Sequence, residues 1–270
     1  MGRKTKPKVT LVGCTGWDSA SAGGTIIPLK LIASQLLNMQ GKMHHDISEI
    51  SDEQAIELVR DLKKTALAGG LEVIDMVFQI ENVPRALTHQ MVRTRVGATY
   101  HQESLRFTTR EDGFDFDIGG TIERDINNKN VFLETMENLS DVYKIMVDNG
   151  ASMEDARGVL PIATMTKIGV RYNFKTLAHC SHVRLCYQSQ GHWNKIFNMM
   201  KKEIETKIHP VLGEFLAPIC SFTGRCEYKG MFDRKCPIES KLIEGTCKGC
   251  KHFGYCNINC NALNTMHRLT

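Results

Sequence analysis

Seven of the ten cysteines fall between Cys220 and Cys260, and the apolar periodicity of the preceding residues stops where they begin. That uneven placement divides the chain into a body able to bury a core, residues 1–215, and a Cys-rich tail, residues 216–270. With 42% hydrophobic residues, a body of this length makes one ordinary domain. The start, MGRKTKPKVTL, has no apolar signal region, and no run approaches the roughly 20 apolar residues of a membrane span. The expectation is a cytoplasmic protein with no membrane partner. In a reducing compartment a local cysteine cluster points to metal ligation rather than disulfides. Cys14, Cys180 and Cys186 lie outside the cluster and read as ordinary buried thiols.

Within the tail, Cys247, Cys250 and Cys256 stand in C-x2-C-x5-C spacing, with a remote fourth ligand taken as Cys236 and with Cys220, Cys226 and Cys260 as the other choices. Four thiolates hold an iron–sulfur cluster, or alternatively one zinc ion. Zinc ribbons more often use two C-x2-C pairs, and only one is present. The charge balance, 34 Lys+Arg against 30 Asp+Glu, gives +4, which suits small phosphorylated ligands and is too dispersed to indicate nucleic acid.

Along the body, Lys8 to Cys14 alternates as a first strand, and the Gly-rich stretch Ser21 to Thr25 reads as a loop. Ser51-Asp-Glu-Gln54 is a capping box opening a helix to about Leu67. Leu71 to Ile80 is β-rich, and Asn82-Val-Pro84 opens a helix carrying Gln90 and Arg93. Val131 to Asp148 repeats apolar residues at helical spacing and stops at Asn149-Gly150. Trp193, Phe197, Met200 and Ile204 form a similar stripe before Pro210. Both stripes read as packing.

The densest polar segment runs from Thr88 to Phe107 and combines three arginines with Gln90, Glu103 and Ser104. Arginine presents a planar fork that matches phosphate, a hydroxyl completes the cradle, and Gln or Glu pairs with a base edge. Those parts suit a nucleotide monophosphate; a surface salt-bridge network is the bland alternative. Arg93-Thr-Arg95 followed by Glu103-Ser-Leu-Arg-Phe107 resembles the Arg-His-Arg…Ser signature of flavin-dependent thymidylate synthases. Ala156-Arg-Gly-Val-Leu-Pro161, Asn173-Phe-Lys-Thr-Leu177, His182-Val-Arg-Leu185 and Gln190 are similar to that family's later blocks, in order and spacing.

The resemblance implies an α+β fold with a small metal-binding appendage, and a homotetramer that shares active sites between subunits. It implies C5 alkylation of deoxyuridylate, most simply methylation to thymidylate, with FAD, methylenetetrahydrofolate as one-carbon donor and NADPH as reductant. By similarity Gln90, Arg93, Glu103, Arg106 and Arg157 hold the nucleotide, with Gln102 the alternative to Glu103 at the family's acidic position, and Ser104 lies near the phosphate and reacting face. Arg184 sits by the pyrimidine, while Arg95, Asn173, Lys175 and His179 lie along the flavin. The family's central His is Thr94 here, eight residues separate Arg95 from Ser104 where seven are usual, and Val73 follows Glu72 where His is common. Flavin contacts therefore look reworked and nucleotide contacts retained. Two alternatives stay open: a hydroxymethylase acting on deoxyuridylate or another pyrimidine deoxynucleotide, and a non-catalytic nucleic-acid-binding protein using the tail.

Overall fold

The structure is a computed structural model in which the described residues are 6–17, 24–64, 68–110, 112–189, 191–224, 226 and 236. Four strands, β1 (Lys8–Cys14), β2 (Asp75–Pro84), β3 (Ala98–Gln102) and β4 (Met165–Asn173), form a sheet in the order β1-β2-β4-β3. The helices are α1 (Ile27–Met39), α2 (Asp52–Asp61), α3 (Arg85–Met91), α4 (Gly120–Arg124), α5 (Ile126–Asp148), α6 (Met153–Ala156), α7 (Phe174–Arg184), α8 (Gly191–Lys207), α9 (Pro210–Gly213) and α10 (Cys220–Thr223). Helix and sheet are mixed, as an α+β fold requires.

The chain forms two compact units. One comprises Met1–Lys8, Gln79–Arg95 and Thr99–Val170; the other comprises Val9–Phe78, Val96–Ala98 and Arg171–Thr270.

In the second unit, Val9 and Leu11 of β1 are buried, as are Leu29, Ile32 and Leu37 of α1. The α8 stripe is core as expected: Trp193, Phe197, Met200 and Ile204 are all at most 2% exposed. Burying side chains of this size stabilises by roughly 1.5–3 kcal/mol each. Ser51 caps α2 by accepting from Gln54 N at 3.1 Å, and Asn173 caps α7 by accepting from Thr176 N at 2.8 Å. Each cap satisfies an amide that the first helical turn leaves unpaired.

In the first unit, Asp125 caps α5 by accepting from Asn128 N at 2.8 Å. Of α5, Met136 and Tyr143 are buried, while Val131, Val142 and Ile145 are exposed. Phe116 packs edge-on against Phe114 and Phe132, with ring centroids 6.2 and 5.8 Å away. Backbone bonds tie Arg85 N to Thr164 O at 3.0 Å and Ala86 N to Ile162 O at 2.9 Å. The segment after Arg157 is thereby held against the start of α3.

Several boundaries differ from the sequence expectation. α2 ends at Asp61 and tightens into a 3-10 turn, Leu62–Lys64, rather than running to Leu67. Ala68–Val73 is a 3-10 helix, and the strand begins only at Asp75. Gly69 and Gly70 offer no side chains to a pleated face, so the tight turn prevails there. β2 then runs through Pro84, which stands just outside α3 as its cap instead of inside the first turn. α5 starts at Ile126, five residues earlier than Val131, because the Asp125 cap sets its origin.

Candidate active site

Gln90, Arg93, Glu103, Ser104, Arg106 and Arg157 all belong to the first unit. Gln90 lies exposed on α3, and the chain leaves the helix through turns in which Arg93 N donates to Gln90 O at 3.3 Å. After β3, Glu103 N donates to Lys167 O at 3.0 Å, which extends the pairing by one residue. A tight turn follows: Phe107 N donates to Ser104 O at 3.1 Å, and Arg106 N to the Ser104 hydroxyl at 3.3 Å. This turn fixes the Ser104 side chain beside the backbone from which Arg106 projects.

The carboxylate of Glu103 accepts from Arg110 at 3.0 Å and from the Thr166 hydroxyl at 3.3 Å. Those bonds hold it as a wall of the unit. Alongside lies an open cavity of about 980 Å³, whose lining carries five carboxylates against three cations. That sign is wrong for a phosphate.

The cationic side of the unit is elsewhere. Glu154 bridges Arg106, at 2.8 Å, and Arg157, at 3.7 Å. Arg157 also donates from Nε to Glu154 O at 3.0 Å. Sequence reasoning did not single out Arg85, Arg110 or Glu154. Arg85 is the first residue of α3, and its Nη1 is buried without a hydrogen-bond partner among the described residues. Burial, with Arg157 and then Arg110 adding and Glu103 opposing, pulls its pKa below the usual arginine value.

The flavin-side candidates Asn173, Lys175 and His179, together with Arg184, stand at the start of α7 or on it, in the second unit, and Arg95 is in the first. Lys175 and His179 are exposed one turn apart on the same face. Lys175 pairs with Glu72 at 2.5 Å, and Val73 next to that glutamate is 38% exposed. Gly97 has φ +70°, and a β-carbon there would overlap the side chains of Thr176 and Asn173. Thr176 also donates to Val96 O at 3.1 Å. Only glycine lets this crossing come so close.

Farther along α7 the guanidinium of Arg184 lies 4.3 Å over the Trp193 ring, a cation–π contact that fixes a flexible side chain. His182 packs at 5.0 Å from the Phe222 ring and 6.0 Å from His179. Burial first, then His179, lowers its pKa to about 4, so it is neutral near pH 7.

The expected metal ligands Cys247, Cys250 and Cys256 lie outside the described residues, as does Gln190. Cys236 is described, but among the described residues no three His, Cys, Asp or Glu side chains stand so as to hold a metal ion. Cys186 does not stand apart from the tail. Its thiol is raised first by burial, with Cys236 and Cys226 adding and backbone bonds from Gln188 and Ser189 opposing. Cys220 is raised to about 12 by burial and then by Cys186, Cys236 and Cys226. The bond from Ile219 N to His182 O at 3.1 Å ties α10 to the end of α7, a proximity invisible in the linear spacing.

The family model for "Thymidylate synthase complementing protein" matches residues 29–211. The flavin-dependent thymidylate synthase of Geobacter sulfurreducens is 36% identical over 162 residues, 60% of this chain and 68% of that protein. That of Clostridium tetani is 31% identical over 194 residues, 66% of this chain and 76% of that protein. Among solved structures, the UMP/dUMP methylase PolB from Streptomyces cacaoi, bound with 5-Br dUMP, superposes with TM-score 0.64 at 19% identity, over 80% of this chain and 96% of that one. Thymidylate Synthase X from Helicobacter pylori, with FAD and dUMP, gives 0.56 at 16% identity, over 73% and 93%. At those identities the two structures establish the fold. The sequence matches reach further: over a span that includes every nucleotide-side and flavin-side candidate, the chain belongs to the flavin-dependent thymidylate synthase family and is an enzyme of that kind.

Proposed function

We propose that the chain methylates C5 of deoxyuridylate to form thymidylate, taking the one-carbon unit from methylenetetrahydrofolate and reducing equivalents from NADPH. The observation that carries this reading is the family match over residues 29–211, with two curated synthases sharing at least 31% identity. We take residues 1–215 as the catalytic body and residues 216–270 as the tail; the family match covers residues 29–211.

The residues fit a flavin. Lys175, held by Glu72, and His179 offer an exposed polar face, Val73 offers apolar surface next to Glu72, and the absence of a side chain at Gly97 lets its backbone lie against Asn173 and Thr176. FAD bound there would supply the redox and carrier chemistry. Arg95, Asn173, Lys175 and His179 would hold it.

Gln90, Arg93, Ser104, Arg106 and Arg157 would hold the nucleotide, and Glu103 would shape the wall through its bonds to Arg110 and Thr166. Arg184, steadied by Trp193, would stabilise negative charge on the pyrimidine as C5 becomes nucleophilic. The assembly we propose is a homotetramer with shared sites. Val131, Val142 and Ile145 support it, because their spacing puts three exposed apolar side chains on one face of α5. The location we propose is cytoplasmic.

Membership in an enzyme family removes the non-catalytic nucleic-acid reading. No observation favours a hydroxymethyl product. An iron–sulfur cluster or zinc on Cys236, Cys247, Cys250 and Cys256 has no support among the described residues and takes no part in the reading.

The test is mass analysis of the nucleotide after anaerobic incubation with deoxyuridylate, methylenetetrahydrofolate, FAD and NADPH. A thymidylate product is expected. Unchanged deoxyuridylate would overturn the reading, and a hydroxymethyl product would replace it with the hydroxylated alternative.

A further inference from the structure

We propose that Arg85 is a nucleotide-binding residue of this enzyme, whose half-buried guanidinium takes the 5′-phosphate dianion together with Arg157. The inference rests on the proposed nucleotide site and adds to it a residue that the motifs do not mark.

Three observations carry it. Arg85 Nη1 is buried and has no hydrogen-bond partner among the described residues. A buried cationic donor left unpaired is costly, so sequences retain one where something else completes it. Second, the backbone bonds from Arg85 to Thr164 and from Ala86 to Ile162, with Leu160 N donating to Arg157 O at 3.0 Å, lock the Arg157 segment against residue 85. Third, the charges do not balance. Arg110 is paired with Glu103, and Arg106 and Arg157 share the single carboxylate of Glu154. Four guanidiniums, Arg85 included, face two carboxylates and leave a formal excess of two positive charges.

A phosphate monoester above its second ionisation, near pH 6, carries about two negative charges and three strong acceptor oxygens. It matches that excess and supplies the acceptor that Arg85 Nη1 lacks. The acid-lined cavity beside Glu103 offers neither. Arg85 lies outside the Arg93-Thr-Arg95 signature, next to Pro84, and reaches the group only because β2 ends there.

The experiment is calorimetric titration of the full-length, FAD-loaded protein with dUMP, UMP and dCMP, comparing wild type with Arg85→Met and Arg85→Lys. Arg85→Met should raise the dissociation constant about tenfold or more, and Arg85→Lys should recover much of that loss, since an ammonium restores the charge but not the fork. FAD affinity and unliganded thermal midpoint should not fall in Arg85→Met, because that change removes a buried donor that has no partner among the described residues of the unliganded protein. Its affinity should also depend less on pH across the phosphate ionisation near pH 6.

An Arg85→Met dissociation constant within about twofold of wild type, for whichever monophosphate wild type binds, would overturn the inference. So would a variant whose assembly changes on a sizing column while its nucleotide affinity does not. If wild type binds UMP or dCMP but not dUMP, with the same dependence on Arg85, the substrate reading falls and Arg85 stands. Failure of wild type to bind any of the three would overturn both.

Discussion

The guanidinium of Arg184 sits 4.3 Å above the ring of Trp193, itself only 2% exposed. One side chain is set for chemistry and the other is core, so a packing residue positions a polar one. Contacts of this kind contribute about 0.5–2 kcal/mol. On the proposed mechanism, Arg184→Ala should lower kcat by roughly a hundredfold or more while dUMP affinity changes less than about tenfold. Trp193→Phe should keep the fold and lower kcat by about three- to tenfold, with KM little changed. Steady-state kinetics beside dUMP titrations separate the two effects. Equal losses in kcat and affinity for Arg184→Ala would count against the assignment.

Gly97 makes a second, purely steric prediction. Its left-handed backbone and its overlap with Thr176 and Asn173 leave no room for a side chain. Gly97→Ala should destabilise the protein by about 2–4 kcal/mol, combining the left-handed penalty with the cost of displacing packed atoms. Denaturant unfolding measures this. A midpoint equal to wild type would mean that the crossing relaxes freely.

His182 predicts how stability responds to acid. Its folded pKa, about 4, lies below the ordinary 6.5. Between those values the unfolded chain binds a proton that the folded chain does not, so stability falls as pH drops from 6.5 toward 4 and is unaffected above 6.5. The full loss is on the order of 3 kcal/mol. Thermal midpoints from pH 7 to pH 4.5 should decline more steeply for wild type than for His182→Leu. Parallel curves would show that the ring is not desolvated.

The exposed face of α5 predicts self-association. Val131, Val142 and Ile145 are 64%, 42% and 57% exposed on one side of the helix. Val142→Asp with Ile145→Asp should convert the proposed tetramer to smaller species without unfolding it, because neither residue belongs to the buried core. Light scattering on a sizing column reads the mass. An unchanged tetramer would place the interface on another face.

Strand β1, the Ser51 cap and the α8 core stripe were legible because each follows from local rules of alternation, capping or helical spacing. The region around residues 68–84 was legible only in part. A β-branched run looked like strand, but two glycines favoured a tight turn and the strand ran on to Pro84. Among candidate site residues, those in the linear motifs could be named from their order, while Arg85 and Trp193 could not.

By itself the sequence determined the family, the mixed helix and sheet, and the residue types that suit a nucleotide. Motif order and apolar periodicity are properties of neighbours along the chain. Only the tertiary structure decided that Glu103 is taken up by Arg110 and Thr166, that Glu154 is shared by two arginines, that Cys186 lies near enough to Cys220 to raise its thiol, and that Arg85 Nη1 is buried without a hydrogen-bond partner among the described residues. Those outcomes depend on which charges and hydrogen-bonding groups folding brings within a few ångströms, and on how much water it removes from them. Both are set by packing between segments distant in sequence.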